Sequence, residues 1–184
     1  MGTRSLIAVQ INGEYKIAQY GQWDGYPEGQ GSDVLNFLKK ADIEEFKKAV
    51  SECRYLSDSE LSERNMPDWQ KIYPELSRDA GADILTLVLF SNKRFLKNSI
   101  DFANDSLFCE WVYVIDLDNM KFEVYEGFNK KPLSKVDRFY SDEIPENGYY
   151  PVVKIKGYDI SALPKEEVFI AECNGNEDEE EDEE

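Results

Sequence analysis

Residues 19–31 constrain this chain more than any other stretch, because thirteen residues (Q-Y-G-Q-W-D-G-Y-P-E-G-Q-G) hold four glycines, a proline, three aromatics, two carboxylates and three glutamines. That mixture has neither a helical nor a strand period. Gly21, Gly25, Gly29 and Gly31 open backbone angles closed to other residues, and Pro27 fixes its own φ. The segment is therefore predicted to be one tight, defined loop.

The surroundings of the loop predict its anchors. Leu6, Ala8 and Ile11, then Asn12-Gly13, then Tyr15, Ile17 and Gln19 read as two strands joined by a tight turn. After the loop, Ser32 or Asp33 is placed to cap a helix bearing Val34, Leu35, Phe37 and Leu38. Asp42 with Glu45 forms a capping-box pattern before a second helix with Ile43, Phe46, Ala49, Val50 and Cys53 at helical spacing. Residues 57–74, broken by Pro67 and Pro74, read as loops with short helical turns around 69–73. Ala80, Ala82, Leu85 and Leu89 favour helix over 82–90. Residues 108–116 (F-C-E-W-V-Y-V-I-D) and 121–125 form a second predicted hairpin, and further strands are expected at 150–155 and 168–170. The fold class this predicts is α+β: an antiparallel sheet of N-terminal and C-terminal hairpins packed against central helices. One domain, 1–173, is expected, followed by a disordered acidic tail, 174–184.

Composition removes several function classes. Histidine is absent from all 184 residues, which excludes Ser-His-Asp and Cys-His relays and histidine-ligated metal sites. Cys53, Cys109 and Cys173 lack C-x-x-C spacing, so neither a disulfide framework nor a thiolate metal site is expected, and a reducing cytoplasm fits best. No apolar stretch approaches the ~20 residues of a bilayer span, and residues 6–9 are too brief for a secretory core. The I-D-L-D-N run around Asp116, Asp118 and Asn119 lacks the glycine and distal glutamate of an EF-hand and sits where a hairpin must turn. No phosphate-binding glycine motif is present, and no cofactor is called for.

Charge points outward. Asp and Glu number 38 against 21 Lys and Arg, for a net charge of -17. Subtracting the eight carboxylates of 177–184 leaves -9 on residues 1–176. Direct nucleic-acid binding is therefore not expected, although Lys93, Arg94 and Lys97 form a local basic cluster. The expected partner is the basic surface of a nucleic-acid-binding protein, met by charge complementarity; the oligomeric state is left open. Within the loop, Tyr20, Trp23 and Tyr26 are candidates to stack on a planar ligand while Gln22, Asp24 and Gln30 hydrogen-bond its edges. The competing reading is that the aromatics pin the loop to the core and Asp24 caps backbone amides.

The opening M-G-T-R-S-L, the 19–31 loop and the C-E-W-V-Y-V-I-D-L-D strand resemble a family of uncharacterised bacterial and phage proteins with fungal relatives. A phage or mobile-element origin implies an acidic, non-enzymatic inhibitor of a host defence protein, of the anti-CRISPR or anti-restriction type. The N-terminus is also similar to N-terminal-nucleophile amidohydrolases of the bile-salt-hydrolase type, with Gly2 where that family carries its catalytic cysteine. This second resemblance implies either an amidohydrolase, in which Thr3 serves as nucleophile after an additional cleavage, or a catalytically inactive ligand-binding relative of the same fold, in which Arg4 and Asp24 persist as pocket residues. Sequestration of a small nucleotide signal is a third alternative, with Arg4 and Lys93 as the cations for its phosphate.

Overall fold

A strand that is apolar on both sides of its pleat belongs inside a sheet covered on both faces, and Ser5–Ile11 (β1) is such a strand: every residue but Gln10 is buried. The structure, a computed structural model, describes residues 2–175. β2 (Glu14–Gly21) follows β1, and a wide turn (Pro27–Gly31) leads into α1 (Ser32–Lys40) and α2 (Ile43–Ser51). Then come β3 (Arg54–Tyr55), α3 (Asp58–Glu63), α4 (Trp69–Ile72), α5 (Asp83–Phe90) and β4 (Phe95–Leu96). A 3-10 turn (Ile100–Asn104) precedes β5 (Trp111–Asp116), β6 (Lys121–Glu126), β7 (Val153–Asp159) and α6 (Glu166–Asn174).

Five strands form one sheet in the order β2-β1-β5-β6-β7, and β3 pairs with β4 in a two-stranded ribbon. The class is α+β, but the large sheet is mixed instead of wholly antiparallel, because β1 and β5 run parallel, Ser5 opposite Trp111. The reason is topological. β2 ends at Gly21, opposite Ser5, and the helical segment returns the chain to that same end of the sheet. A strand starting there has to run with β1, and only a long crossover makes this possible.

Alternation along the strands sorts two cores. Ile7, Val9, Tyr113, Ile115, Phe122 and Val124 pack against α1, α2, α5 and α6 through Leu35, Phe46, Leu85 and Phe169. Leu6, Ala8, Val112, Val114 and Tyr125 pack against Ala103, Phe139 and Val152, which lie in segments with little regular structure. Asn12 and Gly13 both take positive φ (52° and 74°), as a two-residue hairpin turn with matching twist requires. Asp118 joins the two hairpin turns, its carboxylate accepting from Asn12 N at 2.7 Å and Gly13 N at 2.9 Å. Asp42 caps α2, accepting from Glu44 N and Glu45 N.

Several elements depart from the sequence-based expectation. Ser32 does not cap α1; Gly31 already has helical angles, so the Ser32 hydroxyl is left to donate to Pro27 O at 2.9 Å. Residues 57–63 form a capped helix, with Ser57 and Glu60 satisfying each other's backbone amides in the S-x-x-E manner. The strand expected at 150–155 lies three or four residues later. Residues 168–170 are helical, because Phe169 and Cys173, one turn apart, enter the core beside Phe122, whose ring centroid is 5.7 Å from that of Phe169. α6 runs through Asn174, so the expected tail begins inside a helix; the rest of it, 176–184, lies outside the described residues.

Arg138 closes the sheet face opposite the helices. Its guanidinium donates to Asp116 Oδ2 and Glu123 Oε2, each at 2.9 Å, and to Gln10 Oε1. All three partners point to the same side of adjacent strands, so one side chain fastens 127–152 across β1, β5 and β6. Burial pushes the Asp116 carboxyl up, but hydrogen bonds from Asn119 and Arg138 outweigh it and hold the group below its ordinary value. Glu123 behaves likewise: burial raises it, while Arg138, Tyr125 and Lys154 bring it lower. Arg138→Met leaves buried Asp116 without a cation and Glu123 with Lys154 alone, and is expected to cost about 3 kcal/mol at neutral pH. Both carboxyl values are depressed in the fold, so their contribution is complete above the unfolded values and lost as pH falls through the folded ones. Urea unfolding should accordingly show the gap between wild type and variant narrowing from about pH 5 downward; a gap that widens on acidification would contradict the clamp.

Candidate functional site

The 19–31 loop is held from four directions. Gly25 N donates to Thr3 O at 2.9 Å, Gln22 N to Arg78 O at 3.1 Å, and the hydroxyl of wholly buried Tyr113 to Gly25 O at 2.7 Å. Gln30 uses both ends of its amide: Oε1 accepts from Ala82 N at 2.6 Å and Nε2 donates to Trp23 O at 3.3 Å. The glycines are needed for contact. A Cβ at Gly25 would lie 2.8 Å from Thr3 O, one at Gly29 2.2 Å from Asp24 O, and one at Gly31 2.9 Å from the Tyr113 ring.

Of the seven residues singled out from sequence, most are engaged by the protein itself. Trp23 Nε1 donates to Asp79 Oδ1 at 2.8 Å, and the Tyr26 hydroxyl to Asp24 Oδ1 at 3.1 Å. Tyr20 OH donates to Gln22 Oε1 at 2.5 Å. Arg4 lies over the Phe108 ring, 5.2 Å from its centroid, with Nε 4.0 Å from Glu110 Oε2. Asp24 has a positive φ of 54° and shares its side of the loop with Asp33, Asp83 and Glu166. Burial, then the neighbouring carboxylates of Asp83, Glu166 and Asp24, push the Asp33 carboxyl up. Gly2 lies under Trp23: a Cβ there would be 2.3 Å from Gln22 O and 2.5 Å from the indole. No side chain fits at position 2 without displacing backbone.

Tyr20 leads to a different place. It lines a cleft of about 650 Å³ together with Trp69 and Gln70 of α4, Arg78, Lys97 and Phe102. The floor is the free edge of β2, and both walls hang from it by hydrogen bonds. Gln19 Nε2 donates to Ser77 O at 3.0 Å, fixing 76–78, and Ser99 N donates to Ala18 O at 2.9 Å, fixing 97–99. The Tyr20 and Phe102 rings meet edge-on, with centroids 5.0 Å apart. Burial raises the Tyr20 phenol, and the positive charges of Arg4 and Arg78 oppose that rise, which places both guanidinium groups within electrostatic reach of the cleft floor.

The two cations expected to hold phosphate, Arg4 and Lys93, both have carboxylate partners: Arg4 lies 4.0 Å from Glu110 and Lys93 pairs with buried Glu75 at 3.5 Å. Arg94 of the same basic run pairs with Glu52 at 3.0 Å. Among the described residues, Arg78 and Lys97 make no ion pair. Sequence reasoning missed Arg78, Trp69 and Phe102, whose only signal is spatial, and noted Lys97 merely as part of a basic run. Among the described residues, no group of three or more Cys, Asp or Glu is arranged to hold a metal ion, and no helix is long and apolar enough to cross a membrane. No family model, curated protein or solved structure matches the chain.

Two substitutions test whether the loop is fixed by its contacts. Tyr113→Phe strands the buried Gly25 carbonyl, with an expected loss of about 1–3 kcal/mol. Gly29→Ala forces backbone apart and should cost about 1–3 kcal/mol. Urea unfolding reads both, and Tyr113→Phe should also speed amide exchange across 22–31; wild-type stability in both variants would mean the loop is not held as described.

Proposed function

We propose that this protein is a non-catalytic binding module for a small phosphorylated ligand with a planar ring, of the nucleotide class, which it holds in the cleft along β2. The observation that carries this reading is the lining: three aromatic rings, Tyr20, Trp69 and Phe102, stand beside two cations without ion-pair partners among the described residues, Arg78 and Lys97, against one carboxylate, Asp101. Such a combination offers stacking for a ring and charge-assisted hydrogen bonds for a phosphate. The volume falls in the range of small-molecule pockets.

The net negative charge does not outweigh this. At physiological salt, charges more than about 8 Å away are largely screened, whereas groups touching the ligand contribute about 1.5–3 kcal/mol per charged hydrogen bond. Calorimetric titration with adenosine 5′-monophosphate tests the proposal. Arg78→Gln should weaken binding about 10-fold or more, and Trp69→Ala should remove about 1–3 kcal/mol of stacking. No heat of binding at millimolar ligand, or full affinity in both variants, would sink it.

A second reading rests on the -9 charge of residues 1–176. In it the acidic exterior occupies the cationic groove of a nucleic-acid-handling protein in the cytoplasm, as a phage-type inhibitor of host defence. Complex formation with such a protein would then weaken steeply with salt, since the Debye length falls from about 10 Å at 0.1 M to about 3 Å at 1 M. A salt-insensitive complex contradicts this reading.

A further inference from the structure

The cleft does not end at Trp69. A second hollow of about 280 Å³ shares Trp69, Leu76 and Lys97 with it and continues between α3 and β4 to Ser62, Arg64 and Asn65. Sharing these residues, the two hollows adjoin as two lobes on either side of them. Each lobe has its own guanidinium. Arg78 stands in the first and Arg64 in the second, with Lys97 common to both.

Arg64 is built into its place. Its Nη1 donates to Glu60 O at 2.9 Å, and its guanidinium lies over the Tyr73 ring, 5.5 Å from the centroid. Among the described residues it makes no ion pair. One hydrogen bond and a ring fix its direction while leaving its charge unneutralised, the state expected of a group kept for an anion. Ser62 and Asn65 add hydroxyl and amide partners, and Leu61 and Leu76 an apolar wall.

Building on the nucleotide reading of the first lobe, we infer that the ligand is two-ended: a nucleotide carrying a second phosphate group remote from the first, with Arg64 recognising that second group. Dinucleotides have this chemistry. A mononucleotide fills one lobe and leaves Arg64 without a partner.

Calorimetry on the full chain separates the possibilities, using adenosine 5′-monophosphate and the 5′-phosphorylated linear diadenylate as probes. The diadenylate is expected to bind at least 10-fold more tightly than the monophosphate, since one charge-assisted hydrogen bond alone is worth about that factor. Arg64→Gln should collapse the ratio of the two affinities to about one. Ser62→Asp, at an exposed helical position, should do the same by repulsion without disturbing the hold on Arg64, and thermal melting of each variant verifies the fold. Monophosphate binding with no gain from the second nucleotide overturns this inference alone. An unchanged ratio in both variants also overturns it. Failure of both probes to bind overturns the nucleotide reading with it.

Discussion

A single buried hydroxyl organises the loop end of this molecule. Tyr113, fully enclosed in β5, donates to Gly25 O at 2.7 Å, and its ring sits where a Cβ at Gly31 would be. The register of β5 on β1 sets Tyr113 beside Ile7, two residues along β1 from Ser5, which faces Gly21 at the exit of the first hairpin. The loop fixed in this way reaches further, through Gln22 to Arg78, Trp23 to Asp79 and Gln30 to Ala82. Those contacts set the wall of the cleft and the start of α5. In three dimensions the loop is a frame on which a neighbouring cleft is hung.

Charge is used in two opposite ways. Arg138 is consumed by Asp116 and Glu123, and the value of that cluster lies in fastening an irregular segment over a sheet face that helices leave uncovered. A guanidinium already matched by carboxylates has little left for a ligand. Arg78 and Lys97 are the converse: exposed cations at the edge of a cleft, on a chain with far more acids than bases. Where carboxylates are this plentiful, a cation without an ion-pair partner is more informative than a carboxylate cluster, such as the one around Asp24 and Asp33.

Local chemistry was readable where it closes within a few residues. The Asn12-Gly13 turn, the Asp42 cap, the helix over 83–90 and the hairpin of β5 and β6 each follow from spacing and side-chain type, and each is present. The capping box at Ser57 and Glu60 is an equally local signal, and its S-x-x-E pattern starts a helix ahead of the break at Pro67. The reading failed at 168–170, because a β-branched and aromatic triplet has no way to announce that Phe169 and Cys173 will share a helical face against Phe122. The cleft left no local trace at all: its residues come from 19–20, 69–78 and 97–102, joined by hydrogen bonds to the β2 edge and its exit loop and by the Tyr20–Phe102 ring contact.

The two hairpins, the α+β class, the need for a fixed glycine loop and the absence of histidine chemistry are all written along the chain, because they depend on residue type and on neighbours a few positions away. The parallel register of β1 and β5, which cations are paired among the described residues, and the gathering of Tyr20, Trp69 and Phe102 along one cleft come from tertiary structure. Those outcomes are set by where the helical crossover returns the chain and by which distant side chains then come within hydrogen-bonding reach, and no period along the chain encodes either.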